Sequence, residues 1–305
     1  MLSPGQVWDA FAASNSLFTV GDWVRATASA MERAGVAYGQ GTQQALDEAR
    51  WLVLGSLRLP LDIDHRFDSA RLLPQERAQL AEQVRARVID RKPCAYILGE
   101  AWLMGLRFRS DPRAIIPRSY LAELLQDEVY GLEAPPGRIL DLCTGSGCLA
   151  IQAALRWPEA SVVGSDLSAD ALALAAENCS DYGLQARIEL RQANLFQGFG
   201  AEEQFDLILC NPPYVPQSKV DALPPEFLAE PSLALGSGID GMDFIRRLLQ
   251  ELPGRLSTGG MLLCEVGFEQ ERCEALFAEE FPALEPLWLE VSQAQGAVFS
   301  LGGRT

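Results

Sequence analysis

Hydrophobic positions along the chain follow two regimes. Through about residue 92 they recur at helical spacing. In 19–36, "TVGDWVRATASAMERAGV", Trp23, Val24, Ala28 and Met31 share a face and Gly35 supplies a stop. In 42–57, "TQQALDEARWLVLGSL", Leu46, Ala49, Leu52 and Val53 lie on one side, with Thr42 as candidate N-cap. A third helix, with Leu80, Val84 and Val88, is ended by Pro93. Trp8, Trp23 and Trp51 are read as core, since aromatics dominate buried area. Residues 101–119, "AWLMGLRFRSDPRAIIPRS", alternate short apolar runs with Gly105 and an "SDP" turn, the signature of a hairpin. Helical spacing resumes in "YLAELLQDEVY", 120–130.

From residue 137 the pattern becomes regular alternation. Strands are expected in "RILDLC", "SVVGSD", "ARIELRQ", "FDLILC" and "GMLLCEV", with helices in "GCLAIQAALRW", "SADALALAAENCSDYG", "GMDFIRRLLQEL" and "EQERCEALFAE". Two final strands, "LEPLWLEVS" and "GAVFSL", are separated only by the polar turn "QAQ". Alternating β and α segments imply an α/β fold, a doubly wound and mostly parallel Rossmann-like sheet with helices on both faces. The short last connection forces an antiparallel C-terminal hairpin. The fold class is therefore a seven-stranded sheet of this kind plus a small all-helical N-terminal domain.

Composition adds that the chain can fill a core. Of its 305 residues 48% are hydrophobic and 22% charged, and no run approaches the ~20 apolar residues of a membrane span. The start, "MLSPGQVWDAFAASNS", has no basic n-region, so no signal peptide and no membrane partner are expected. Seven cysteines at 94, 143, 148, 179, 210, 264 and 273 never form C-x-x-C. They fit reduced thiols in a cytoplasmic protein rather than disulfides or a zinc site. With His65 the only histidine, no metal site or histidine triad is expected.

Charge is lopsided. Residues 1–118 hold 15 Lys/Arg and 13 Asp/Glu, whereas 119–305 hold 10 and 28, a balance of −18. Nucleic-acid binding draws on basic excess, so no direct nucleic-acid binding is expected. The acidity serves solubility or meets a basic protein partner.

Two stretches carry candidate chemistry. "DLCTGSGCLAIQAAL" leaves a strand at Asp141 and enters a helix near Gly147; Gly145 and Gly147 allow a sharp turn and close approach of a ligand. Ligands of such sheets sit beyond the carboxyl ends of the strands, and Asp166, ending the next strand, can accept from ribose hydroxyls. With Ala150 in third place the letters also permit a dinucleotide site. An acidic Asp141 in the turn would repel a pyrophosphate but can bind an amino group, or it can cap the loop by bonding local backbone amides. The closing hairpin likewise separates methyltransferase-type sheets from plain nucleotide-binding ones. The second stretch is "NPPY", 211–214, after the fourth strand of the alternation. Both Asn211 and Pro212 precede a proline and are held extended. Pro212 and Pro213 have fixed φ and no N–H. The stiff strand end presents acceptors, the Asn211 side-chain oxygen and a backbone carbonyl, to a planar NH₂ group. Tyr214 supplies an aromatic wall beside an incoming cation.

Together these residues make the chain similar to the family of S-adenosylmethionine-dependent glutamine methyltransferases that act on translation proteins. "RKPCAYILGEAWLMGLRF", "IIPRSYLAEL", "ILDLCTGSGCLAIQAA", "LPPEFLAEPSLALGSGIDGMDFIRRLL" and "LWLEVSQAQGAVFSL" resemble the branch acting on large-subunit ribosomal protein three. The release-factor branch commonly shows glycine at Cys143 and "RPET" at "RSYL". The resemblance implies a helical substrate-docking domain over 1–95, a β-hairpin linker over 96–118 and a methyltransferase domain over 119–305. It also implies S-adenosyl-L-methionine as cofactor and a basic ribosomal protein, alternatively a release factor, as partner. Thr144, Gly145, Ser146 and Gly147 would bind the methionine part, with Asp141 at its amino group, Asp166 the ribose, and Asn194 and Leu195 the adenine. Asn211, Pro212, Pro213 and Tyr214 would hold the target glutamine, Asn211 bordering both ligands. Asn194 stands where an acidic residue is common in the family, Ala229 where histidine is frequent, and Tyr120 where proline is. An enzyme methylating the exocyclic amine of adenine would use the same clamp but needs a basic surface and base flipping. A non-catalytic cofactor-binding module would not need Asn211 or Tyr214. Arg118 and Glu265 are open to two readings, ligand contact or structural ion-pair partner.

Overall fold

The computed structural model describes residues 5, 6, 8, 16–126, 129, 131, 132, 134–291 and 294–302. It divides into two compact units, Met1–Ala101 with Leu223–Ala229, and Trp102–Ala222 with Glu230–Thr305.

The first unit is helical: Val20–Ala34, Ala45–Ser56, Pro74–Val88 and Cys94–Leu98. The first of these starts at a capping box, in which the Asp22 amide donates to the Thr19 hydroxyl and the Thr19 amide donates to the Asp22 carboxylate. Trp23, Trp51, Leu52, Leu80, Val84 and Val88 are buried, as their spacing predicts, and Trp8 is half-buried. Two expectations fail. The second helix is capped at Gln44, not Thr42, whose hydroxyl donates instead to the buried Glu48 carboxylate at 2.9 Å. Ala45 takes the buried position one turn before Ala49, and Leu46, about 100° further round the helix, faces solvent.

The unit boundary falls inside strand β1 (Glu100–Leu103), which forms a two-stranded sheet with β2 (Leu106–Arg109). The hairpin is not a free ribbon. Phe108 is fully buried in the core of the second unit, and the Arg109 amide donates to Asn178 Oδ1 at 2.7 Å.

The second unit is built on seven strands: β3 (Arg138–Leu142), β4 (Ser161–Asp166), β5 (Ile188–Gln192), β6 (Phe205–Cys210), β7 (Leu256–Glu265), β8 (Leu287–Val291) and β9 (Ala294–Gly302). Their order is β5-β4-β3-β6-β7-β9-β8, the first five parallel and the last two pairs antiparallel. Gln293 of the expected final turn lies outside the described residues, as do 127, 128 and 130 of the expected helix after Tyr120, which is described over Leu121–Leu124.

Alternate side chains of the central strands serve two cores. Ile139, Leu207, Leu209 and Leu263 pack on one face, Leu140, Ile208, Cys210 and Leu262 on the other. Both faces being buried explains why these strands read as continuous apolar runs. The strand order reverses between β3 and β6, where Leu142 lies opposite Cys210. The region beyond the strand ends at such a switch point is the usual place for a ligand in these sheets. No helix among the described residues is long and apolar enough to cross a membrane.

Candidate active site

After β3 the chain makes a tight turn into helix Cys148–Arg156. Three of its residues are left-handed: Cys143 at φ 58°, Gly145 at 56° and Gly147 at 80°. At Gly147 space is also short, since a Cβ there would come within 3.1 Å of the Ala175 Cβ. Asp141 lies beneath the turn with no exposed surface. Its Oδ2 accepts from the Thr144 hydroxyl at 2.5 Å and the Ala150 amide at 2.9 Å. Burial pushes this carboxyl up to about 7. Oδ1 is buried with no hydrogen-bond partner found. Oδ2 thus ties Thr144 to the start of the helix, and Oδ1 is the carboxylate oxygen left without a partner among the described residues.

Asp166, at the end of β4, faces the same turn. Its Oδ2 accepts from the Gly145 amide and its Oδ1 from the Ser168 amide, each at 2.9 Å. Burial raises its pKa too. Ser146 and Thr144 are buried in the turn. Beyond β5, the Ala193 amide donates to the Asp166 carbonyl, which brings Asn194 and Leu195 alongside. Leu195 is buried at φ 53°. Asn194 Oδ1 accepts from Arg247 at 3.2 Å, a partner that nothing in the local sequence signals.

The third contributor is the end of β6. Pro212 is buried and Asn211, Pro213 and Tyr214 are half-buried. Asn211 Nδ2 donates to the Arg118 carbonyl at 3.3 Å, an arrangement that leaves Oδ1 as the acceptor on the other side of the amide. The Tyr214 hydroxyl donates to Glu265 Oε1 at 3.3 Å, and burial lifts its pKa well above the usual tyrosine range. Two glycines make room for it: a Cβ on Gly267 would fall 2.8 Å from the Tyr214 ring, and one on Gly241 2.4 Å from the Tyr214 carbonyl oxygen. Past the tetrapeptide, Val215 pairs with Gly236, where the chain returns alongside it.

Both residues left open by the sequence are structural partners here. Arg118 makes a bidentate pair with the buried Glu230, Nη1 to Oε1 at 2.5 Å and Nη2 to Oε2 at 2.6 Å. Glu265 accepts from Ser119 Oγ at 2.6 Å and the Tyr120 amide at 2.8 Å. Glu230, Ser119, Gly241 and Gly267 were not singled out by sequence, because their roles exist only once distant strands are adjacent.

Sheet order, glycine turn and proline-stiffened strand end define the class: a Rossmann-like methyltransferase. The Methyltransferase small domain family matches residues 120–238. A ribosomal protein uL3 glutamine methyltransferase of Bordetella pertussis is 47% identical over 93% of this chain and 95% of its own length. One from Neisseria gonorrhoeae is 42% identical over 95% of this chain and 96% of its own. The chain belongs to the ribosomal protein uL3 glutamine methyltransferase family. Among solved structures, a ribosomal protein L11 methylase from Lactobacillus delbrueckii subsp. bulgaricus aligns with TM-score 0.42 and 22% identity over 64% of this chain and 82% of that one.

Proposed function

We propose that this protein methylates the side-chain amide nitrogen of a glutamine in large-subunit ribosomal protein uL3, with S-adenosyl-L-methionine as donor, in the cytoplasm. The observation that carries the reading is the orientation of Asn211: its NH₂ is committed to the Arg118 carbonyl, so its oxygen is the acceptor offered to a substrate amide. The relatives named above support the choice of substrate.

The residues at the switch point fit the cofactor. A left-handed turn lets a ligand approach the backbone of 143–147. Asp166 sits at the strand end where ribose hydroxyls are accepted. Asn194 and Leu195 form the neighbouring edge, suited to an adenine ring. Asp141 acts from below by fixing Thr144. When bound, the cofactor supplies an electrophilic methyl group on a sulfonium.

The protein's own work concerns a poor nucleophile. A carboxamide nitrogen shares its lone pair with its carbonyl, the resonance behind the ~18–20 kcal/mol rotation barrier of a peptide bond. Asn211 Oδ1 and a backbone carbonyl of the rigid Pro-Pro segment accept the two N–H hydrogens. They hold the amide plane at the about 3–3.5 Å approach that makes transfer effectively intramolecular. Tyr214 covers the amide face, its ring seated on Gly267. No general base is needed before transfer, because the surplus proton leaves afterwards, and the chain's single histidine takes no part.

The test is to incubate the protein with isotopically labelled S-adenosyl-L-methionine and purified uL3 or release factor, then map the label by mass spectrometry. The reading expects one methyl on a glutamine side chain of uL3. Label confined to release factor would reject the substrate, and none on any glutamine would reject the reaction.

A further inference from the structure

Glu265 is the last residue of β7, almost fully buried, and the mechanism above does not use it. A carboxylate taken out of water is costly unless its oxygens are satisfied. Here three donors do so. Oε2 takes the Ser119 hydroxyl and the Tyr120 amide, and Oε1 takes the Tyr214 hydroxyl. The Ser119 oxygen in turn accepts from the Leu121 amide at 3.2 Å, which starts helix Leu121–Leu124.

These bonds close a ring. From Asn211 a hydrogen bond reaches the Arg118 carbonyl, and the backbone runs from 118 to 120. Ser119 and Tyr120 dock on Glu265, and Glu265 holds Tyr214, three residues from Asn211. The Arg118 guanidinium, which could otherwise compete for Glu265, is occupied by Glu230. One carboxylate therefore connects the wall that accepts the amide hydrogens with the wall that covers the amide face.

We infer that Glu265 is a positioning residue for methyl transfer: by holding Ser119, Tyr120 and Tyr214 together it sets the spacing between the Asn211 and Tyr214 walls of the carboxamide clamp. The inference rests on the reading of 211–214 as that clamp. The ring includes no residue of the turn at 143–147, and only Asn211 of it borders the cofactor, so its loss is expected to change cofactor affinity little.

The experiment compares wild type, Glu265→Gln, Tyr214→Phe and the double variant in the full chain, measuring kcat and KM on uL3 and equilibrium affinity for S-adenosyl-L-methionine. Glu265→Gln keeps the volume but has one acceptor for three donors. It is expected to lower kcat about tenfold, the scale of a lost supporting hydrogen bond around a site, with cofactor affinity within about twofold. The double variant should be no slower than the slower single variant, because the contact that Tyr214→Phe removes is among those that Glu265→Gln already disrupts. Ser119→Ala, which leaves the carboxylate in place, should lower kcat in the same direction by less and serves if Glu265→Gln fails to fold. Unchanged kcat in these variants, fully additive losses, or cofactor affinity falling in step with kcat would each overturn the inference. Wild type run in parallel separates the two claims: no methylated glutamine from wild type removes the clamp reading itself, whereas an active wild type with additive variants removes only the role of Glu265.

Discussion

At the scale of single residues, the turn after β3 concentrates both strain and unusual charge. Cys143 adopts a φ of 58° without being glycine, a conformation that costs an L-residue about 1–2 kcal/mol. Cys143→Gly should therefore leave the melting temperature equal to or above that of wild type, while Cys143→Val, branched at Cβ, should lower it by several degrees; thermal unfolding followed by circular dichroism checks both. Asp141 carries the charge anomaly. Its folded-state pKa is raised from 3.8 to about 7 by burial, so between those values the folded protein retains a proton that the unfolded chain has released. The stability this group contributes is full below the unfolded value and is lost as pH rises through the folded one. Asp141→Asn mimics the protonated form. Its unfolding free energy relative to wild type should rise by on the order of 2–4 kcal/mol between about pH 4 and pH 7; a difference that stays flat in urea titrations across this range would contradict the assignment. The position of Asp141 was legible in the sequence but its task was not. A carboxylate before a glycine turn looks the same in sequence whether or not it bonds the loop above it, and only the folded turn shows Oδ2 taken by Thr144 and Ala150. Asn194 is similar, for its partner Arg247 comes from a helix more than fifty residues on.

At the scale of elements, the central strands of the second unit follow their sequence patterns because strands buried on both faces are apolar at nearly every position. The tetrapeptide at the end of β6 was legible for a different reason: two prolines restrict the backbone whatever surrounds them. What could not be read is the segment Leu223–Ala229, which belongs to the helical unit although it lies in the middle of the methyltransferase sequence. A buried side chain anchors it, beside a bond from the Gln40 side-chain amide to the Glu226 carbonyl at 3.2 Å. Glu226, buried in helix Pro225–Leu228, accepts from the Ala37 amide at 3.2 Å and from Arg91 at 3.0 Å, and it pairs with the buried Arg87 at 3.6 Å. Arg87 is held as well by Glu48. Such a cluster is set by three distant stretches meeting, and no local pattern announces it. Removing one member leaves a buried cation partly unpaired, a loss of about 3–5 kcal/mol. Glu226→Ala should lower the urea midpoint of the helical unit accordingly; a midpoint within error of wild type would show that the segment is not anchored by this carboxylate.

At the scale of the whole molecule, the −18 balance of residues 119–305 remains the widest feature of the sequence. A basic substrate would be drawn toward it over distances near the Debye length, about 10 Å at 0.1 M salt. We expect kcat/KM on free uL3 to fall about tenfold or more between low and high ionic strength, mostly through slower encounter. A salt-independent kcat/KM would assign the acidity to solubility alone. The account as a whole turns on one arrangement, a stiff strand end whose Asn211 oxygen holds a substrate amide beside the cofactor turn without forming that turn. Its most direct test is single-turnover methyl transfer by Asn211→Ala alongside its equilibrium affinity for S-adenosyl-L-methionine. The account predicts an affinity within about threefold of wild type and a transfer rate lower by about 10²–10³-fold, the scale of lost positioning and polar stabilisation. A rate within threefold of wild type, or a loss explained wholly by weaker cofactor binding, would contradict it.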